Sequence, residues 1–355
     1  MTHRFFLKKA YWIAKSFQGW CSPNPTVAAL VVKNNQIIAS GFHLGVGTNH
    51  AEYMAIHNAE EPLLGATLYV TLEPCSHKGK TPPCTDLIIQ SGIKNIVFAE
   101  FDTNQQVRGQ GAKVLSAAGI NVIHLPTIEI SQMYKPYHHW HKTMRPIVIL
   151  KTAITASGAI SRANKMPIQI TKQETNLWCH QERYYSDAIL TTGNVINYDN
   201  PSLNVRLYGY QLNKPLFILD PLLSLPKCCN ILQGKRKIMI FHKVEEHSEI
   251  YKYWSSHPNV NLKSFRHIPR SEQLNFIIAQ IGQIGIQRLW VECGKRLAHE
   301  LVNQQLIHEW TLILSDMEMD GYALHLDKSL GAMQSIHYHW LNKHDIICQL
   351  TPQSK

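Results

Sequence analysis

The stretch ATLYVTLEPCSHKGKTPPC, residues 66–84, settles how the first half of the chain folds. Its opening, Ala66–Thr71, is rich in β-branched and aromatic residues and is expected to be a buried strand. The strand leaves through Glu73-Pro74 into Cys75, and Cys84 follows Pro82-Pro83 at the start of a helical segment, Cys84–Ser91. Upstream, His50-Ala51-Glu52 opens another helical segment, His50–Glu60, after Gly45-Val46-Gly47-Thr48-Asn49. One imidazole and two thiolates, His50, Cys75 and Cys84, suit a catalytic Zn2+ that keeps a fourth position for water. Such a metal lowers the pKa of its water to about 7. Glu52 would not ligate; it would take a proton from water and hand it to a leaving nitrogen.

His-x-Glu combined with Pro-Cys is the signature of zinc-dependent nucleobase deaminases. Pro-Cys and Pro-Pro-Cys are expected to place both thiols at helix starts, where a thiol pKa falls and thiolate is favoured. The competing reading is two buried thiols with a helix-capping histidine, or a structural zinc site with His77 as fourth ligand. The commoner deaminase spacing is Cys-x-x-Cys, whereas here eight residues separate the cysteines. That insertion carries Lys78, Gly79, Lys80 and Thr81, a loop suited to a phosphate.

Outward from this stretch, strands and helices alternate. Thr26–Val32 and Gln36–Ser40 form a hairpin joined at Lys33-Asn34-Asn35, with helical periodicity over Phe5–Gln18 before it. Asn95–Ala99 and Asn121–Leu125 are further strands around a helix, Gly111–Ala118. A break follows Leu125-Pro126, and a polar, His-rich helix or linker, with His138-His139-Trp140-His141 on its exposed face, runs to Arg145-Pro146. A second series of strands follows: Ile147–Ala153, Asp187–Thr191, Pro215–Asp220, Lys237–Phe241, Asn261–Phe265, Arg288–Glu292 and Trp310–Leu314. Alternation of this kind predicts α/β layers, in two domains, residues 1–144 and 145–355.

Composition agrees. A chain of 355 residues with 45% apolar and 17% charged residues is globular and long enough for two cores. No apolar run reaches the ~20 residues that span a bilayer, and charges interrupt the N-terminal apolar run, so a cytoplasmic enzyme is expected. Eight cysteines in such a chain are expected to be thiols or ligands rather than disulfides. The net charge of +10 suits phosphorylated ligands or nucleic acid, but no run of five basic residues or aromatic stripe accompanies it.

Ser22-Pro23-Asn24-Pro25-Thr26-Val27, Gly41-Phe42-His43, His50-Ala51-Glu52 and the long Cys75–Cys84 insertion resemble the bifunctional pyrimidine deaminase/reductases of riboflavin biosynthesis. The resemblance runs over nearly the whole chain and is densest in the first 125 residues. It implies a cytidine-deaminase-like three-layer domain followed by a dihydrofolate-reductase-like α/β domain. The implied substrate is 2,5-diamino-6-ribosylamino-4(3H)-pyrimidinone 5′-phosphate, deaminated with Zn2+ and then reduced at its ribose with NADPH. By similarity, Asn24 and His43 would touch pyrimidine or ribose, Lys80 and Thr81 the phosphate, and Asp102 and Asn104 the ribose side. A homo-oligomer is also implied. Ala28-Ala29, Thr103 and Gln105 depart from the family pattern.

The second half has no Gly-x-Gly-x-x-Gly at a strand end, so it does not read as a Rossmann domain. The resemblance assigns Arg183, Leu203, Arg206 and Glu292 to substrate, and Ala153, Thr171, Asp199 and Gly294 to cofactor. Lys151 is a further match. Ser157, Pro167, Gln169, Val195, Asn200, Lys295 and His299 stand where other residues are usual, and His299 is expected to crowd the cofactor loop. These departures predict retained reduction with weakened NADPH binding. The alternatives are a deaminase with a degenerate reductase domain, a zinc nucleoside or tRNA deaminase with an appended domain, and a zinc-stabilised nucleic-acid-binding protein without catalysis.

Overall fold

Asn34 and Asn35 hold φ of 51° and 62°, the left-handed pair of a tight hairpin turn that follows the right-handed twist of the flanking strands. They join β1 (Ala28–Lys33) to β2 (Gln36–Phe42). The computed structural model describes residues 1–76, 82–103, 108–164, 166, 168–324 and 333–352. The chain divides into two units, Met1–Met144 and Arg145–Lys355.

In the first unit, α1 (His3–Ser16) precedes the hairpin. After it come α2 (Ala51–His57), β3 (Thr67–Leu72), α3 (Cys84–Gln90), β4 (Asn95–Glu100), α4 (Gln110–Ala117), β5 (Asn121–His124) and α5 (Ile128–Thr143). The sheet order is β2-β1-β3-β4-β5. β1 runs antiparallel to both neighbours, and β3, β4 and β5 run parallel. Parallel pairing needs a crossover helix, which α3 and α4 supply. Phe6, Leu7, Ala10 and Ala14 give α1 the buried stripe that packs into this core.

The polar segment after Pro126 departs from its reading as a linker helix with an exposed His-rich face. Ile130, Met133, Tyr134 and Tyr137, at i, i+3, i+4 and i+7, are buried in the first unit's core. The Tyr134 hydroxyl donates to the Thr26 carbonyl at 2.8 Å and lies 2.8 Å from Thr71 Oγ1. His138, His139 and Trp140 are half-buried, and His141 alone of that cluster is exposed. Four apolar anchors at helical spacing outweigh the polar composition around them.

The second unit contains β6 (Ile147–Ile154), β7 (Ala159–Arg162), α6 (Gln173–Tyr185), β8 (Ala188–Thr192), α7 (Gly193–Asp199), β9 (Val205–Leu207), β10 (Tyr210–Leu212) and β11 (Leu216–Leu219). It continues with β12 (Ile238–His242), α8 (Glu249–Ser255), β13 (Val260–Ser264), α9 (Gln273–Gln283), β14 (Arg288–Glu292) and α10 (Lys295–Asn303). β15 (Glu309–Ser315), β16 (Gly321–Ala323), β17 (Met333–Trp340) and β18 (Asp345–Pro352) complete it. A nine-stranded sheet has the order β13-β12-β11-β8-β14-β6-β15-β18-β17. The strands from β13 to β15 are mutually parallel, and β18 and β17 are antiparallel. Central β6 reads as a continuous apolar run, Ile147-Val148-Ile149-Leu150, all buried, because both faces of a parallel sheet are covered. The β17–β18 pair lies beyond the last strand read from the sequence, yet it is tied to the rest. Asp345 accepts from Lys172 N (2.8 Å) and Thr175 Oγ1 (2.6 Å), holding the start of α6.

Gly41 is where β2 meets α2. A Cβ there would lie 2.2 Å from the Ala51 carbonyl oxygen and 2.3 Å from Ala55 N, backbone atoms that cannot swing aside. Gly41→Ala should therefore cost about 3 kcal/mol or more, the upper range of overpacking, and lower the melting temperature of the first unit. Calorimetric unfolding is the check; an unchanged melting temperature would refute the close packing.

Candidate active sites

His50 occupies the N-cap of α2, Cys75 lies in irregular backbone three residues past β3, and Cys84 is the first residue of α3. Their ligating atoms lie within 4.8 Å of one another. His50 Nδ1 is 3.2 Å from Cys84 Sγ and 3.5 Å from Cys75 Sγ, and the Cys84 amide donates to Cys75 Sγ at 3.4 Å. One nitrogen and two sulfurs at this closeness fit the soft, tetrahedral donor preference of Zn2+. Glu52, one residue into α2, is 4% exposed and lines the same pocket of about 360 Å³.

The electrostatics explain what such a cluster needs. A hydrogen bond from Cys84 holds the Cys75 thiol well below its ordinary range, whereas the Cys84 thiol is pushed up by that same bond and by burial. Cys84 starts a helix as expected, whereas Cys75 lies in irregular backbone rather than at a helix start. The Cys84 thiol carries a proton that Cys75 accepts as a hydrogen bond. A divalent cation between the donors would replace that proton. Burial, with the Cys75 thiolate beside it, pushes Glu52 up to about 7, which suits a group that must both take and give a proton.

Asn24, His43 and Asp102 line this pocket with the cluster. Asn24 Nδ2 is 2.8 Å from His43 Nε2, and His43 Nδ1 is 3.1 Å from the Asn49 carbonyl. A carbonyl only accepts, so Nδ1 carries the proton and Nε2 accepts from Asn24. Burial lowers the pKa of His43 and favours this neutral form. His77, Lys80, Thr81 and Asn104 lie outside the described residues, as do Lys78, Gly79, Gln105 and Pro167.

Sequence reading missed two features of this site. Glu73 is buried and accepts from Gly109 N (2.8 Å) and Ala112 N (3.1 Å) at the start of α4. It thereby anchors the backbone that delivers Cys75, using the positive end of a helix. Tyr137, Trp140 and His141 of α5 also line the pocket, and the Tyr137 hydroxyl donates to Asp102 Oδ1 at 3.3 Å. The i, i+3, i+4 spacing of these three residues is the signal that was available.

In the second unit a groove of about 1170 Å³ brings together Ala153, Thr171, Asp199, Gly294, Arg183 and Glu292. Lys151 and the departing residues Gln169 and Val195 line it too. Leu203 does not; it is 3% exposed in the core, with φ of 45°. Arg206 is exposed outside the lining, its Nη1 donating to Asn204 Oδ1 at 2.6 Å. His299 is not among the residues that line the groove. It sits inside α10, where Arg296, Leu297 and Glu300 form the lining face. Ser157 Oγ donates to the Met319 carbonyl at 2.6 Å, and Asn200 takes a left-handed turn, φ 39°.

The fork of Arg183, which the resemblance assigns to substrate, is engaged by Glu292, with Nε–Oε1 at 2.5 Å and Nη2–Oε2 at 2.9 Å. The Trp290 indole donates to the same carboxylate at 2.8 Å. Burial alone would raise Glu292; the Arg183 guanidinium overcomes it, with Lys151 and the Trp290 indole contributing, and holds the carboxyl at about 2.

A His-Cys-Cys cluster beside a buried carboxylate, on a sheet with crossover helices, defines the zinc-dependent deaminases of the cytidine type, here joined to a second α/β unit with a long groove. Residues 1–100 match the family of the cytidine and deoxycytidylate deaminase zinc-binding region, and residues 146–315 match the RibD C-terminal domain. The riboflavin biosynthesis protein RibD of Aquifex aeolicus is 36% identical over 82% of this chain and 80% of its own length. That of Escherichia coli is 30% identical over 87% of this chain and 86% of its own. The solved diaminohydroxyphosphoribosylaminopyrimidine deaminase/5-amino-6-(5-phosphoribosylamino)uracil reductase of Thermotoga maritima is 30% identical, with a TM-score of 0.85 over 99% of both chains. The chain belongs to the RibD family. It is a bifunctional enzyme of riboflavin biosynthesis, with deaminase and reductase activities.

Glu292→Gln should cost about 3–5 kcal/mol, because it leaves the Arg183 charge buried without a counter-ion. The carboxyl is depressed from its ordinary 4.5 to about 2. Its contribution is therefore present above about pH 4.5 and lost as pH falls towards 2. Urea melts at pH 6 and pH 3 check this: the gap between wild type and variant should shrink at pH 3, and a pH-independent gap would contradict the ion pair.

Proposed function

We propose that residues 1–144 deaminate 2,5-diamino-6-ribosylamino-4(3H)-pyrimidinone 5′-phosphate and that residues 145–355 reduce the ribose of the product with NADPH. The observation that carries the first half is the meeting of His50, Cys75 and Cys84 beside buried Glu52 in one pocket. These three side chains would hold zinc. When bound, the metal supplies the Lewis acidity that makes water a nucleophile at neutral pH. The Glu52 carboxylate takes the proton from water and returns it to the exocyclic nitrogen, so the C–N bond breaks as C–O forms and ammonia leaves. The amide of Asn24, held by His43, orients the pyrimidine, and Asp102, held by Tyr137, meets the ribose. Lys80, Thr81 and Asn104 are assigned to phosphate and ribose on family resemblance alone.

In the second unit, Ala153, Thr171, Asp199 and Gly294 would hold NADPH, which supplies the hydride. Arg183, Leu203, Arg206 and Glu292 belong to the substrate side, with unequal parts. The Glu292 carboxylate and Lys151 face the groove, Arg183 fixes Glu292, Leu203 is packed beneath the segment that carries Arg206, and Arg206 offers its charge at the surface. A small phosphorylated molecule, rather than a nucleic acid, is the partner that this dispersed charge and two concave sites support. Among the described residues no helix is long and apolar enough to cross a membrane.

Purified protein should contain one zinc per chain, and Cys84→Ser should lose most of it by elemental analysis; full retention would remove Cys84 from the donor set. Glu52→Gln should keep zinc and fold yet lose deamination by about 10²–10⁴-fold, the usual contribution of a general acid–base. Ammonia release from the pyrimidine phosphate is the assay, and near-normal turnover would remove Glu52 from the mechanism.

A further inference from the structure

The groove of the second unit crosses the carboxyl ends of parallel strands in the order β13, β12, β11, β8, β14 and β6. Its lining follows that order: Phe265 after β13, Lys243 after β12, Asp220 and Pro221 after β11, Gly193 after β8, then Glu292–Gly294 and Lys151–Ala153. Adjacent strands lie about 4.8 Å apart, so the end of β12 is roughly 14 Å from that of β14. The Arg183–Glu292 pair and the start of α10 mark the β14 end. At the far end stand Lys243 and Arg270, with Phe265, Leu274 and Ile277 as an apolar floor.

Among the described residues these two cations have no carboxylate counter-ion, whereas neighbouring Arg266 is paired with Glu245 at 2.6 Å. The Lys243 ammonium lies 5.1 Å from the centre of the Phe265 ring, so its stem is held across the groove end. The acid nearest in strand order, Asp220, is 3% exposed and already accepts from Ser224 Oγ (3.0 Å) and Leu225 N (3.1 Å). Asp199, Glu292 and Glu300, the other acids of the lining, sit on α7, β14 and α10. An acid free to bind both hydroxyls of an adenosine ribose favours a dinucleotide without a 2′-phosphate, and cations favour one that has it.

We infer that Lys243 and Arg270 form the subsite for the 2′-phosphate of the dinucleotide, and that this end of the groove sets the preference for NADPH over NADH. The inference rests on the reading of this groove as the cofactor site. The adenosine lies over Phe265, Leu274 and Ile277, and the nicotinamide extends towards Glu292 and Lys151.

Calorimetric titration of the full chain with NADP+ and with NAD+ tests it. Lys243→Ala and Arg270→Ala should each weaken NADP+ by about tenfold, the effect of one charge-assisted phosphate contact. NAD+ binding should stay within about twofold, and the double variant should lose the preference. Lys243→Arg should restore most of it, which a merely structural role of the lysine stem would not require. Equal weakening of both dinucleotides, or unchanged NADP+ binding in the double variant, would overturn the subsite. Wild-type protein that binds neither dinucleotide at millimolar concentration would instead overturn the cofactor groove, and the subsite with it.

Discussion

Three donors, His50, Cys75 and Cys84, spread over 34 residues of sequence, must converge within 4.8 Å, and much of the first unit is arranged to bring that about. Each donor arrives on a different element: a helix cap, a strand exit and the first turn of another helix. The donors crowd one another, with His50 Nδ1 3.2 Å from Cys84 Sγ and 3.5 Å from Cys75 Sγ. Rigid packing around the cluster supplies what the donors do not. Gly41 lets α2 lie against β2 at backbone distance, and Gly111 does the same for α4, where a Cβ would stand 2.0 Å from the Pro74 carbonyl oxygen. Glu73, clamped by α4, then fixes the residues that lead into Cys75. Glycine contacts and a buried carboxylate thus hold together the elements that carry the three donors.

The second unit solves a related problem with opposite charges. Glu292 ends β14 and Arg183 projects from α6, 109 residues earlier. Neither would be tolerated alone at this depth. Together with the Trp290 indole they make a neutral, fully hydrogen-bonded wall for the groove, and the planar guanidinium fork matches the carboxylate in two contacts. The Arg183 fork is therefore engaged by the Glu292 carboxylate rather than left open, and Leu203, which the resemblance also assigns to substrate, lies in the core.

The sequence made much of this legible where chemistry and spacing coincide. The Asn34-Asn35 turn, the β-branched strands and the His-x-Glu motif with its two cysteines each carry a local signal, and each lands within a few residues of its place in the structure. What was not legible depends on partners far away in sequence. The segment of α5 looks polar because its four buried anchors are diluted by histidines and lysines, and Pro136 interrupts the pattern. Glu73 reads as part of a strand exit, since nothing local announces the α4 amides that bind it. Nor can spacing reveal that Arg183 is already engaged by Glu292, because that depends on how α6 lies against the sheet.

The strand order of the second unit has a consequence for the growing chain. β6 is the first strand of that unit to be synthesised, yet its neighbours in the sheet are β14 and β15, among the last. Its run of Ile147-Val148-Ile149-Leu150 must therefore wait with both edges unpaired until about residue 292 has been made, and with one edge unpaired until about residue 315. The first unit faces no such delay, since all five strands of its sheet lie before residue 125. Pairings between distant segments form slowly, and waiting apolar strands are open to wrong partners. Nascent chains stalled within the second unit should thus carry a finished first unit ahead of an exposed, aggregation-prone strand, which makes β6 the natural target for a holdase chaperone during translation.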